Sequence, residues 1–147
     1  MASAQVMKDS AKRFLKFVEK TGSPYHTVKT CVDHLAAAGF RELREEAPIA
    51  DWKIEKGGKY YVTRNGASII AFVVGQKFDP ARCGLAMIAA HTDSPCLRVR
   101  PNSNIEKHGF KQIGVSTYGG GLWHTWFDRP LGMAGKVVVR EGDKLYI

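Results

Sequence analysis

Leu85-Ala-Met-Ile-Ala-Ala-His91-Thr-Asp93-Ser-Pro95 is the stretch on which the fold turns. Its first part, residues 85–90, is an unbroken apolar run, shorter than an ordinary helix, of the kind found in strands covered on both faces. Polar residues follow at once, where such a strand would end, and open α/β sheets build their sites at strand ends. The expected class is therefore α/β, with residues 85–90 as a buried central strand.

Upstream, Met7, Ala11, Phe14, Phe17 and Val18 recur at helical spacing, and Gly22 with Pro24 supplies a stop. This predicts an amphipathic helix whose apolar stripe must dock on something. Ser23-Pro24 has the form of an N-cap with proline in the first turn. Val28, Cys31, Val32 and Leu35 then line one face, and Gly39 closes a second helix. From Lys59 the period changes. Tyr60, Tyr61, Val62 and Thr63 lead into Asn65-Gly66 and out through Ala67 to Val74, and Asn-Gly supplies the positive φ angles of a type I′ hairpin turn. Downstream, Leu97, Val99, Ile113 and Val115 fall in strand-like stretches, and residues 136–140 and 144–147 flank the turn Glu141-Gly-Asp143. Two helices followed by a mostly β segment is the expected order, with no internal repeat.

Composition narrows the partners. With 147 residues, 44% of them hydrophobic and 24% charged, the chain can bury one core. The net charge of +8 suits a polyanion or an acidic substrate equally. Basic residues are interleaved with acids, as in Arg41, Glu42, Arg44, Glu45 and Glu46, so no stripe for nucleic acid forms and no nucleic-acid partner is expected. Cys31, Cys83 and Cys96 are widely spaced and lack a Cys-x-x-Cys pair, which suggests free thiols in a reducing compartment. The start has no signal-peptide apolar core, and the longest apolar stretch, around Ile69 to Val74, is far too short to span a bilayer. A cytoplasmic protein without a membrane partner is expected.

Chemistry concentrates at the end of the apolar run. Residues two apart share a side of an extended chain, so Asp93 can lie beside His91 and accept from one ring nitrogen while the other binds a metal. A carboxylate so placed fixes the tautomer and raises the basicity of a ligating imidazole. The same His-x-Asp pair also suits a satisfied polar cap on a strand. Gly119-Gly-Gly121 lacks the Lys-Ser/Thr of a phosphate-binding loop and reads as closely packed backbone, with Trp123, Trp126 and Phe127 filling core or subunit contacts. His124 reads as a packing or surface histidine, and His26, His34 and His108 as solvated ones. Asp128-Arg129 reads as a structural pair.

Two long motifs then appear in order: His91-Thr-Asp-Ser-Pro-Cys-Leu-Arg98, and Gly109-Phe-Lys-Gln-Ile-Gly-Val-Ser-Thr-Tyr-Gly-Gly-Gly-Leu-Trp123 continued by Thr125-Trp-Phe-Asp-Arg129. Together they resemble the signature of the aspartyl aminopeptidase family. The likeness extends upstream through Ser23-Pro-Tyr-His26, Ala38-Gly-Phe40 and Thr63-Arg-Asn65, so it covers nearly all of this chain but well under half of the family's length. The resemblance implies a phosphorylase-like α/β zinc-peptidase domain, interrupted by a dimerisation domain, with dimers assembling into a larger hollow particle. Residues 1–147 would be its N-terminal part, reaching near the start of the dimerisation domain.

In the family the His of this motif ligates zinc. The resemblance therefore gives His91 a metal-ligand role and Asp93 the role of orienting the imidazole. In a complete enzyme two zinc ions would share and activate a water while a Glu collects its proton, releasing N-terminal aspartate or glutamate from peptides. The other ligands, the Glu base and the groups that grip the acidic side chain lie later in family members. One ligand does not make a catalytic zinc site. The isolated chain is expected to be inactive, either as part of an active aminopeptidase or as a non-catalytic short form that binds full-length subunits.

Overall fold

The computed structural model describes residues 3–147. Helix α1 spans Ala4–Lys20, with the Ser3 hydroxyl accepting from the Val6 N–H, and α2 spans Pro24–Ala37, with Ser23 doing the same for His26 and proline in the first turn. Each cap satisfies a backbone donor that has no partner inside its helix. Gly39 follows α2 with φ of +80°. Strands β1 (Arg41–Glu42), β2 (Lys59–Arg64) and β3 (Ser68–Val73) form a sheet in that order, β1 parallel and β3 antiparallel to β2. Two separate hairpins follow, β4 (Cys96–Lys107) with β5 (Phe110–Tyr118), and β6 (Val139–Glu141) with β7 (Lys144–Tyr146). The α/β class and the order of two helices then strands are as the sequence indicates.

The chain divides into two compact units, one of residues up to 92 together with 133–147, the other of residues 93–132. The core of the first is Val28, Leu43, Tyr60 and Tyr61. Neighbouring residues on a strand point to opposite faces, so burial of both Tyr60 and Tyr61 means that β2 is covered on each side. Tyr60 stacks at a tilt on Phe72, accepts a hydrogen bond from the Glu55 N–H on its hydroxyl at 2.9 Å, and carries the Arg41 guanidinium 5.1 Å above its ring. Arg41 in turn donates to the carbonyls of Trp52 and Lys53, closing the 3-10 turn Ile49–Trp52 onto the sheet edge. Burial, with the nearby Glu42 charge, pushes the Tyr61 phenol above its ordinary pKa.

The central strand is thus β2, and the expectation for residues 85–90 is corrected. They pair with no strand among the described residues, and Leu85, Met87 and Ile88 are exposed at 76%, 84% and 103%. A strand is made by its ladder partners, and an apolar run without them cannot bury its faces. The stripe of α1 is likewise largely uncovered. Phe14, Leu15 and Val18 are exposed, and only Phe17 is half-buried, its ring 6.5 Å from that of His34.

The turn expected at Asn65-Gly66 is present, with φ of 54° and 62° and the Ala67 N–H donating to the Arg64 carbonyl. The β4–β5 hairpin turns at His108-Gly109 with the same pair of positive φ angles, 53° and 77°. Its ladder shifts register between Val99 and Asn104, so that residues 100–103 stand against Gly114 alone. Pro101, which has no N–H to give, sits inside this bulge. A Cβ on Gly114 would come within 3.3 Å of Ile105 and 3.6 Å of Arg100.

Across the sheet unit, Arg64 grips Glu45 with two nitrogens, Nε donating at 2.8 Å to Oε1 and 3.2 Å to Oε2. This holds the Glu45 carboxyl below its usual range. A carboxylate whose pKa is lowered by folding contributes stability above its unfolded pKa and loses it as pH falls through the folded one. Glu45→Gln is therefore expected to lower the urea midpoint slightly at neutral pH, and the gap to the wild-type chain should close in acid below the ordinary glutamate pKa. The pair is exposed, so added salt should shrink the gap as well.

Candidate active-site segment

The site is built from the entry and exit of the β4–β5 hairpin. Asp93-Ser-Pro95 leads into β4 and Tyr118-Gly-Gly-Gly121 leaves β5, and the ladder sets Cys96 opposite Tyr118. The two halves of the sequence signature therefore meet at one end of the hairpin. Asp93 is half-buried, and the Tyr118 hydroxyl donates to its Oδ2. That bond, reinforced by the Asp93 charge, raises the Tyr118 pKa, because the phenol must keep its proton to donate it. The Arg98 guanidinium lies over the same ring, 3.4 Å from its centroid.

The glycines behave as packing elements. Gly119 has φ of +82°, and a Cβ there would lie 3.3 Å from Cα, Cβ and Cγ of Pro95. At Gly121 a Cβ would meet the Trp123 ring at 3.3 Å, whereas Gly120 has nothing within 4 Å. Trp123 and Trp126, on the 3-10 turn Trp123–Trp126, are half-buried against each other with centroids 6.0 Å apart. Phe127 is 66% exposed and fills no core among the described residues. The Thr125 hydroxyl donates to the Leu122 carbonyl at 2.6 Å and closes that turn.

His91 lies in the loop before Asp93 and is exposed. A catalytic zinc needs three protein ligands and an open position, and among the described residues no three His, Cys, Asp or Glu side chains converge. These residues do not by themselves fit a zinc ion. His26 bonds through Nδ1 to the Ser23 hydroxyl at 2.7 Å and so belongs to a helix cap. Two surface pockets, of about 310 Å³ beside residues 42–46 and about 280 Å³ beside Thr125, Trp126, Arg129 and Leu131, include neither His91 nor Asp93. Tyr118 and Arg98, which grip Asp93 and its partner, were not singled out from sequence. The signal lay in two places: the His108-Gly109 turn, which makes the hairpin, and the interruption around Pro101, which shifts the ladder so that Tyr118 faces Cys96 and not Val99.

Residues 17–147 match the family described as Aminopeptidase I zinc metalloprotease (M18). The chain belongs to the M18 family. An aspartyl aminopeptidase of Aspergillus oryzae is 49% identical over 95% of this chain and 28% of its own length, and aspartyl aminopeptidase 1 of Schizosaccharomyces pombe is 49% identical over 92% and 28%. Among solved M18 structures, the mApe1 dodecamer of Saccharomyces cerevisiae superposes with a TM-score of 0.86 at 30% identity, covering 95% of this chain and 32% of that one. The chain thus spans less than a third of the length of the relatives it matches. No helix of the described residues is long and apolar enough to cross a membrane.

Gly119→Ala should disturb this corner twice over, through the left-handed backbone and through contact with Pro95. A left-handed conformation alone costs a non-glycine residue about 1–2 kcal/mol. An unfolding free energy from urea titration lowered by that amount or more is expected, whereas Gly120→Ala, facing open space, should lower it less.

Proposed function

We propose that this chain supplies part of the active site of an aminopeptidase that releases N-terminal aspartate or glutamate, with His91 as one zinc ligand and Asp93 as the carboxylate that orients its imidazole. The observation that carries the reading is the tethering of Asp93 by Tyr118, which unites the two signature motifs at one end of a hairpin. Identity of 49% to aspartyl aminopeptidases over nearly the whole chain supports the acidic substrate class. In metal sites of this kind the outer carboxylate fixes which ring nitrogen is available and makes the imidazole a better donor.

On this reading the remaining ligands of a two-zinc site, the general base and the specificity groups come from polypeptide outside residues 1–147. These residues are the N-terminal part of the catalytic domain, reaching near the family's dimerisation domain, and alone they do not turn over substrate. The working form is a cytoplasmic homo-oligomer, for which likeness to the dodecameric yeast structure is the support, with no nucleic-acid or membrane partner. The second reading, a non-catalytic short form that binds full-length M18 subunits, is favoured by the unpaired and exposed apolar residues 85–90.

Two measurements decide. The purified chain with added zinc is expected to release no Asp or Glu from short peptides and to retain little metal by elemental analysis. Turnover with a full zinc complement would overturn the division of ligands. Exchanged for the matching segment of the Schizosaccharomyces pombe enzyme, the chain is expected to give an active chimaera. In it His91→Ala should lose zinc, and Asp93→Asn should lose about 10–100-fold in metal affinity or activity. A chimaera that keeps its zinc and its rate without His91 rejects the assignment.

A further inference from the structure

An aspartate side chain has a broad final torsion and settles only where its oxygens are held. At Asp93, Oδ2 accepts from the Tyr118 phenol. A carboxylate can only accept, so the phenol is the donor of this bond. The phenol is itself located from two directions. Its backbone ends β5 opposite Cys96 and continues into Gly119, packed on Pro95. On the sheet surface Cys96, Arg98, Ser116 and Tyr118 share one face, because paired residues and residues two apart along a strand lie on the same side. Arg98 is thus the diagonal neighbour of Tyr118, and its planar guanidinium lies over the ring, a contact that a lysine ammonium would make less well.

We propose that Tyr118 is a positioning residue whose hydroxyl sets the orientation of the Asp93 carboxylate, with Arg98 clamping the ring that carries it. The catalytic consequence rests on the reading of Asp93 as an orienting carboxylate given above, while the positioning itself rests on geometry within residues 93–118. Tyr118→Phe removes one hydroxyl and keeps the ring, the stack and the glycine packing, so it separates positioning from bulk.

Crystal structures of the chain should show the Asp93 carboxylate in a single final rotamer in the wild type and turned away, or in more than one orientation, in Tyr118→Phe. An unchanged final rotamer overturns the proposal. In the chimaera, Tyr118→Phe is expected to lower kcat about tenfold with little change in KM, the order of one hydrogen bond to a charged group. The loss should vanish in an Asp93→Ala background, because Tyr118 then has nothing to position. Equal losses in both backgrounds would make Tyr118 a structural strut and overturn the proposal. Should the unsubstituted chimaera be folded but inactive, the functional reading fails, and the rotamer measurement still decides the role of Tyr118.

Discussion

The register that sets Cys96 opposite Tyr118 is the constraint on which the candidate site depends. Once it is fixed, the phenol falls beside Asp93, Gly119 against Pro95 and Arg98 across the ring. A slip of one residue would turn every side chain to the other face and break all three contacts together. The motif residues are therefore held by an antiparallel ladder whose own formation is local, between strands joined by a two-residue turn. This is an economical way to bring residues 25 positions apart into one hydrogen bond.

In the other unit the organising feature is β2, the only strand of its sheet with a partner on each side. Its two tyrosines bring apolar bulk to both faces, and each manages its hydroxyl differently. Tyr60 satisfies its oxygen from a loop N–H, and the burial of Tyr61 raises the cost of ionising it. Around this small core much apolar surface stays in water, on α1, along residues 85–90 and at Val137, Val138 and Val139. That distribution agrees with a chain that matches less than a third of the length of its M18 relatives.

Local signals in the sequence proved legible where the backbone itself answers to residue type. Ser-Pro at a helix start, glycine after its end and Asn-Gly in a hairpin each specify φ and a hydrogen bond, and each element stands where those residues put it. The apolar run at 85–90 misled because hydrophobicity states that a segment needs cover without stating what supplies it. The His108-Gly109 turn was hidden because His-Gly is not among the Asn-Gly, Asp-Gly and Gly-Gly dipeptides that signal a two-residue hairpin turn. The Asp93 partner was missed because its place depends on that turn and on the register shift at residues 100–103 together. Family membership was readable from two motifs in order, whereas the hydrogen bond that joins them was not.

The bulge at residues 100–103 divides the long hairpin into two segments with separate phases. The segment next to Asp93 takes its alignment from the packing of Cys96, Arg98 and Tyr118, and the segment beyond takes its alignment from the turn at its far end. An extra residue gained or lost near that far end can be absorbed where Pro101 already interrupts the ladder, without rotating Tyr118 away from its acceptor. A change of length at the hairpin tip is thereby uncoupled from the end that carries the candidate site, whose geometry is set by its own contacts.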